Sequence, residues 1–291
     1  MAMEILTPTV EIQAAAEKPS QIAAAEREAP DLQWRLRDWF QPHRIVLLLI
    51  AFALVAAMVL TMRWDWLSKY SGALTLGLWR TVWLLLASVV LGFLLAVPLG
   101  LAQAAGPWLL AAPARGFCTV IRGTPLLLQL WLLYYGLGSL FPMIPEIRES
   151  FLWPYLREGW TYGLFALTLS FAGYEGEVMR GAFAGVPRGE LEAARAYGMR
   201  PLTALRRIWL PRAFFRALPT LGGEVLLQLK STPLVATVTV LDLYGVIGRI
   251  RQDTYLTYEP LLFLTFLYLC LSGILVVAVR MIERRFSSAG A

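Results

Sequence analysis

Charge is scarce in this chain of 291 residues. Charged residues make up 16% of the sequence and hydrophobic residues 58%, and the mean hydropathy is +0.59. A soluble domain typically carries about 25% charged residues and is under half apolar. This chain therefore has too little polar surface to be covered by water alone. The composition predicts a membrane protein and excludes a disordered, collagen-like or coiled-coil chain.

Cysteine, histidine and lysine are also rare. Cys118 and Cys270 are too few for a disulfide framework. The single His43 lies among basic residues just before the first apolar run, and this position argues against a histidine-based metal site or catalytic triad. None of the lysines follows a glycine, so the chain has no phosphate-binding G-x-x-x-x-G-K-[ST] loop. The net charge of +6 is assigned to the positive-inside bias of cytoplasmic loops, and not to binding of nucleic acid.

Apolar runs predict an all-α membrane protein with six spans. Residues 1–33 are expected to form a flexible cytoplasmic tail, and residues 34–66 a basic, aromatic juxtamembrane segment with the first span. The uncharged stretch 45–62 is roughly 27 Å long as a helix, close to the thickness of a bilayer core. The predicted spans are residues 45–62, 75–105, 116–141, 160–184, 213–241 and 261–279.

The arginine distribution predicts the orientation. The stretch 180–216, which contains the segment between the fourth and fifth spans, carries eight arginines against two glutamates, and both ends of the chain are also basic. The loops around residues 63–72, 142–159 and 242–259 are nearly balanced in charge. The positive-inside rule therefore places both termini and the loop 187–211 in the cytoplasm.

The loop 187–211 contains a predicted short helix, Arg188–Tyr197. Pro187 suits its start, acidic residues suit its positive N-terminal end, and Gly198 can close it in a left-handed conformation. Alanines leave a thin surface that another protein could approach closely. The carboxylate of Glu192 is expected to fix this helix through a nearby arginine, the candidates being Arg195, Arg206 and Arg207.

The spacing in this loop resembles the EAA signature of ATP-binding-cassette (ABC) importer permeases. The matching residues are Glu192, Ala193, Ala194, Gly198, Ile208, Leu210 and Pro211. A second set resembles the polar-amino-acid group of these permeases, and consists of Arg122, Gly123, Thr124, Pro125 and Gln129. Residues 190–198, 217–219, 224–225 and 231–232 look most like the M-type subunit of histidine/lysine/arginine/ornithine transporters. The resemblance covers about residues 72–286.

The resemblance implies a type I ABC importer transmembrane domain at residues 72–286, a five-span core preceded by an extra N-terminal helix. It also implies a multi-pass protein of the inner membrane of a bacterium. It implies a partnership with two ATP-binding subunits, with a second permease subunit that is homologous or identical, and with a periplasmic amino-acid-binding protein. ATP would be bound by the partner subunits, so this chain is expected to hold no cofactor and to be no enzyme. The seven loop residues would couple the chain to the ATPase.

Charged side chains at membrane depth predict a substrate pathway. An acid at the centre of a span costs about 2.5–3.5 kcal/mol, so it generally faces a polar interior. A helix break at residues 231–233 would expose backbone groups to an amino acid. The candidate pathway residues are Glu224, Glu177, Tyr174, Lys230 and Asp242. The alternative is pairing that holds the bundle together, such as Glu224 or Glu177 with Lys230 or Arg180.

Glu224 favours a basic amino acid as substrate, with glutamine, general L-amino acids and opines as alternatives. A secondary transporter is a different class; it predicts discontinuous helices in symmetry-related halves and transport without ATPase partners. An intramembrane enzyme is not supported, because the sequence has no H-E-x-x-H motif, no Gly-Asp catalytic pair and no Ser/His arrangement. Gln129 is expected to bond a neighbouring helix, with a substrate contact as the alternative. Close helix packing is the expected role of four glycines, Gly92, Gly100, Gly136 and Gly138.

Overall fold

A computed structural model describes residues 46, 47, 49, 50, 53, 56 and 60–287, without the side chains of residues 286 and 287. The chain divides into two units, one ending at Arg63 and the other beginning at Trp64. In the first unit, the described positions between 46 and 61 are helical. The predicted tail, 1–33, and most of the predicted first span lie outside the described residues.

The second unit is built from helices, and residues 64–287 contain no strand. Eight helices are labelled here: α1 (Trp66–Ala105), α2 (Trp108–Gly123), α3 (Leu126–Trp131), α4 (Gly159–Ala184), α5 (Arg188–Ala196), α6 (Leu210–Ser231), α7 (Leu243–Thr254) and α8 (Tyr258–Ser287). Short segments connect them: π-helical turns at Leu132–Leu137 and Leu205–Trp209, 3-10 turns at Phe141–Met143 and Thr232–Val238, and single turns of α-helix at Gly138–Leu140, Pro145–Arg148, Trp153–Leu156 and Pro201–Ala204.

Helices α1 and α4 pack together most extensively. Gly92 and Gly100 of α1 face α4, and a Cβ atom at position 100 would lie only 2.8 Å from the backbone nitrogen of Arg180. Small residues of this kind let two helix backbones approach closely. The packing role predicted for these two glycines is confirmed. An added Cβ atom would meet nothing within 4 Å at Gly136 and only ordinary contacts at Gly138, so the described residues show no close packing at these two glycines.

Three clusters of buried apolar side chains follow one another along α1. The first joins the start of α1 to α7 and α8, and the second joins its middle to α4 and to the 3-10 turn Thr232–Val238. The third brings Met179 and Phe183 of α4 against Ala213 and Ala217 of α6. This third cluster therefore joins the two helices that flank the loop 187–211.

Fewer spans are evident than the sequence predicts. Within the described residues, three stretches are long and apolar enough to cross a membrane: Trp66–Ala105, Leu126–Met143 and Tyr258–Arg285. A fourth results if Pro201–Val238 and Leu243–Thr254, which are bent by 51°, count as one span. The predicted count of six is not confirmed. The predicted fourth span, 160–184, coincides with α4, but α4 is not among these apolar stretches.

Two predicted spans have different limits in the structure. The third was expected at 116–141, but Thr124 and Pro125 are extended and separate α2 from α3. Proline disfavours helical geometry in the residue before it, which explains this break. The fifth was expected at 213–241 with a break near Pro233. The break is confirmed, because α6 ends at Ser231 and a 3-10 turn follows.

Candidate functional site

The loop between α4 and α6 carries the first sequence motif. Helix α5 begins directly after Pro187 and ends at Ala196, one residue before the predicted end. Ala194 is buried, whereas Glu192 and Ala193 are exposed. Helix α5 thus lies with one side against its own chain and presents the opposite side to the exterior.

Gly198 closes α5 in the left-handed conformation that the sequence predicts. Its φ is +71°. The amide of Gly198 donates to the carbonyl of Arg195 at 2.9 Å, and the amide of Met199 donates to the carbonyl of Ala194 at 3.1 Å. These two hydrogen bonds form a Schellman motif, which satisfies carbonyl groups at the end of the helix.

The loop is attached to both flanking helices. The indole nitrogen of Trp209 donates to the carbonyl of Phe183 at 3.0 Å, and the two ring centroids are 5.5 Å apart. The Nε atom of Arg212 lies 3.1 Å from a carboxylate oxygen of Glu190. Phe183 belongs to α4 and Arg212 to α6, so a displacement of the loop would act on both helices.

The expected anchoring role of Glu192 is wrong. Glu190 makes the ion pair, and Glu192 makes none within residues 60–287. Ile208, Leu210 and Pro211 are half-buried where the loop enters α6. Of the seven motif residues, Glu192, Ala193 and Gly198 are therefore exposed, Ala194 is buried, and the other three pack at the base of α6.

The second motif forms the break between α2 and α3. The side-chain amide of Gln129 donates to the carbonyl oxygens of Ile121, at 2.8 Å, and Thr124, at 3.1 Å, and to the Thr124 hydroxyl at 2.8 Å. It thereby satisfies acceptors that the end of a helix leaves without partners. This is the helix contact predicted for Gln129. Gly123 and Pro125 are exposed on either side of Thr124.

Charged and aromatic side chains of α2, α4 and α6 form one cluster. The guanidinium carbon of Arg122 lies 5.7 Å from the centroid of the Tyr174 ring. Glu224 is half-buried and lies within electrostatic range of both Arg122 and Glu175. Glu175 is fully buried, and neither of its carboxylate oxygens has a hydrogen-bond partner within the described chain.

Glu175 is the member of this cluster that the sequence reasoning did not select as a site residue. A signal was present, because Glu175 falls midway between Phe171 and Met179, which are also buried. Positions four apart lie on one face of a helix. An acid on an otherwise apolar face can therefore be recognised from spacing alone.

The other predicted pathway residues have different surroundings. Glu177 is paired within its own helix, with the Nε atom of Arg180 donating to its carboxylate at 2.7 Å. Lys230 is exposed in the last turn of α6, and makes no ion pair within residues 60–287. Asp242 is fully buried and caps α7, accepting a hydrogen bond of 2.8 Å from the amide of Gly245. This contact gives Asp242 a structural role at the start of a helix.

Residues 60–287 contain no group of three histidine, cysteine or acidic side chains placed to hold a metal ion. The site thus consists of an exposed helical loop fixed to two helices, with a cluster of charged side chains between those helices. Apolar helices around buried charged groups, with an exposed basic loop at one end, form a fold that suits a membrane permease subunit.

Comparison with known proteins agrees with this class. Residues 88–288 match the family described as the binding-protein-dependent transport system inner membrane component. The chain is 37% identical over 211 residues to the octopine transport system permease protein OccM of Rhizobium radiobacter, covering 72% of this chain and 84% of that protein. It is 39% identical over 208 residues to the histidine/lysine/arginine/ornithine transport system permease protein HisM of Salmonella typhimurium, covering 71% and 86%.

A solved structure gives the same result. The crystal structure of an amino acid ABC transporter with histidines aligns with a TM-score of 0.64 and 31% identity, covering 77% of this chain and all of that chain, 100%. The chain belongs to the family of inner membrane components of binding-protein-dependent transport systems. It has the type I ABC importer permease fold, it is a multi-pass inner membrane protein and no enzyme, and it works with ATP-binding subunits and a substrate-binding protein.

Proposed function

We propose that this chain is the permease subunit of an ATP-driven importer of polar amino acids, and that its loop 187–211 receives the movement of separate ATP-binding subunits. The geometry of α5 carries this proposal. An exposed short helix is closed by Gly198 and paired with α6 through Glu190, and the turn that connects it to α6 is bonded to α4 through Trp209. A force applied to this exposed helix would therefore reach both α4 and α6.

Packing supports transmission from the loop into the bundle. The ends of α4 and α6 share one buried apolar cluster, which also includes side chains of α1. Protein interiors are densely packed and transmit displacement with little compression. Movement of α5 would therefore shift α4 and α6 together, along with the charged cluster between them.

The full assembly in this proposal contains two ATP-binding subunits, a second permease subunit that is identical or homologous, and a periplasmic amino-acid-binding protein. Both termini and the loop 187–211 face the cytoplasm. The basic loop supports this orientation, since cytoplasmic loops of membrane proteins carry an excess of arginine and lysine.

The substrate in this proposal is a basic amino acid, such as histidine, lysine, arginine or ornithine. Glu224 and Glu175 provide carboxylates for its ammonium or side-chain cation. The relative HisM and the amino acid transporter solved with histidines support this class. Opines are the second candidate, because the octopine permease OccM is a close match over a similar length.

Uptake into proteoliposomes tests the function. The chain is reconstituted with its ATP-binding subunits and its binding protein, and uptake of labelled arginine, octopine and glutamine is measured with and without ATP. We expect saturable arginine uptake that requires ATP and both partners. Uptake by the permease alone, driven by an ion gradient, would contradict the proposal and identify a secondary transporter.

Site-directed crosslinking tests the assignment of the loop. A cysteine replaces the exposed residue Ala196 at the end of α5, and a matched cysteine replaces the exposed residue Glu149 in the segment predicted to face the periplasm. We expect a crosslink from position 196 to an ATP-binding subunit and none from position 149. Absence of a crosslink at 196 in a correctly assembled, active transporter would refute the loop assignment.

A further inference from the structure

A polar pocket lies where α1, α2 and α4 meet. Its volume is about 460 Å³, which is within the range of small-molecule sites. Six side chains line it: Gln103, Arg115, Thr119, Arg122, Glu177 and Arg180. Three guanidinium groups therefore face a single carboxylate.

The carboxylate in the pocket is already paired and cannot neutralise the other two arginines. Glu177 forms its ion pair with Arg180. Arg115 and Arg122 have no carboxylate partner within 4.0 Å in the described part of the chain. Glu224 acts on Arg122 only from a longer range. The pocket thus keeps a surplus of two positive charges.

The two unpaired arginines are arranged to act together. Arg115, Thr119 and Arg122 are spaced four and three residues apart on α2, so they share one face of the helix. All three side chains are exposed, which means that the pocket opens to the outside of this chain. Two guanidinium groups and a hydroxyl can donate to one bound anion.

The pocket lies close to one end of the bundle. Arg180 stands four residues before the end of α4, which is roughly 6 Å of helix. Gln103 lies two residues before the end of α1. The following helix, α2, begins with three exposed side chains, Trp108, Leu109 and Leu110. Tryptophan is typical of the membrane interface, so this end of the pocket lies near the depth of lipid headgroups.

We infer that this pocket binds a phosphate group, supplied by the headgroup of an anionic phospholipid. Guanidinium groups bind phosphate through paired, charge-assisted hydrogen bonds. Basic pockets between transmembrane helices bind anionic headgroups on the cytoplasmic side. The choice of the cytoplasmic leaflet rests on the orientation in the proposed function, whereas the binding chemistry does not.

Lipid retention measures this binding directly. The complete transporter is exchanged into nanodiscs that contain phosphatidylcholine with or without phosphatidylglycerol, and lipids retained after release are counted by native mass spectrometry. We expect the wild type to retain phosphatidylglycerol in preference to phosphatidylcholine. Arg115→Gln should weaken that retention about tenfold, because it removes one charge-assisted contact to phosphate.

Two further variants separate a specific pocket from general charge. Arg115→Lys keeps the charge but loses the planar fork, and we expect an intermediate loss of retention. Arg249→Gln removes an exposed arginine of α7, which packs at the Gly77 end of α1, roughly 39 Å along that helix from Gln103. We expect Arg249→Gln to leave retention unchanged. Equal effects at positions 115 and 249, or no lipid preference in the wild type, would overturn the inference.

Soluble ligands complete the test. Inorganic phosphate is added to the transporter in phosphatidylcholine nanodiscs, and its melting temperature is recorded. A rise in melting temperature that Arg115→Gln abolishes would assign the pocket to free phosphate and reject the lipid as its source. Displacement of phosphatidylglycerol by arginine alone would assign the pocket to the transport pathway and also overturn the inference. Lipid retention does not depend on ATP-driven uptake, so the two proposals can fail separately.

Discussion

Glycine serves opposite purposes in the helix bundle and in the loop 187–211. At Gly100 the backbone of α4 is so close that no side chain fits. At Gly198 nothing lies within 4 Å of an added Cβ atom, but the backbone has a φ of +71°. The bundle is therefore specified by contacts between distant residues, and the loop by the local conformation of its own chain.

Gly100→Ala should have the largest effect. The added methyl group would lie 2.5 Å from the Cβ atom of Met179 and 2.8 Å from the Arg180 backbone nitrogen, and backbone cannot swing aside. Overpacking typically costs about 1–3 kcal/mol and occasionally more. We expect loss of folded, monodisperse protein in detergent. Gly72→Ala, on the same helix with open space around it, should keep or raise the melting temperature.

Gly198→Val should abolish ATP-coupled uptake while membrane insertion stays intact. Valine in the left-handed region costs about 1–3 kcal/mol, so the Schellman motif would open and α5 would lose its defined end. Uptake in proteoliposomes and the amount of membrane-inserted protein are measured together. Asparagine tolerates this conformation, so Gly198→Asn should retain most of the uptake. Normal uptake in the valine variant would show that the closed end of α5 is not needed.

The same contrast explains what the sequence could predict. The start, length and closure of α5 follow from Pro187, Gly198 and the residues between them, which are local in the chain. The packing of Gly92 was also foreseeable, because small residues in apolar helices commonly mark a close crossing. The role of Asp242 was missed, although its partner Gly245 is only three residues away and aspartate is a common residue at the start of a helix.

The break between α2 and α3 shows most clearly what could not be predicted from the sequence. Pro125 was visible in the sequence, but a continuous third span was predicted through it. A proline within an apolar run is tolerated where another side chain satisfies the freed backbone groups. Gln129 supplies those hydrogen bonds, and the folded geometry is needed to see that they reach Ile121 and Thr124.

Gln129→Leu should have an intermediate effect on stability. The substitution keeps the approximate size of the side chain but leaves the carbonyls of Ile121 and Thr124 without their donor. An unsatisfied group of this kind costs about 1–3 kcal/mol. We expect a lower melting temperature in detergent. Gln252→Leu, at an exposed position of α7, is the matched control and should change stability by less than about 0.5 kcal/mol. An equal change in both variants would rule out a bridging role for Gln129.

The smallest effect on stability is expected at two glutamates of α5. Glu190→Gln removes the ion pair with Arg212, whose side chain is 57% exposed. Such exposed pairs contribute roughly 0–1 kcal/mol and are screened by salt, so the variant should lose little stability, and less in high salt.

Glu192 makes no ion pair within the described residues, so Glu192→Gln should leave the melting temperature unchanged. If Glu192 faces an ATP-binding subunit instead, its replacement should still lower ATP-coupled uptake. A Glu192 variant that transports normally, beside a Glu190 variant that does not, would place coupling in the internal ion pair and not on the exposed face of the helix.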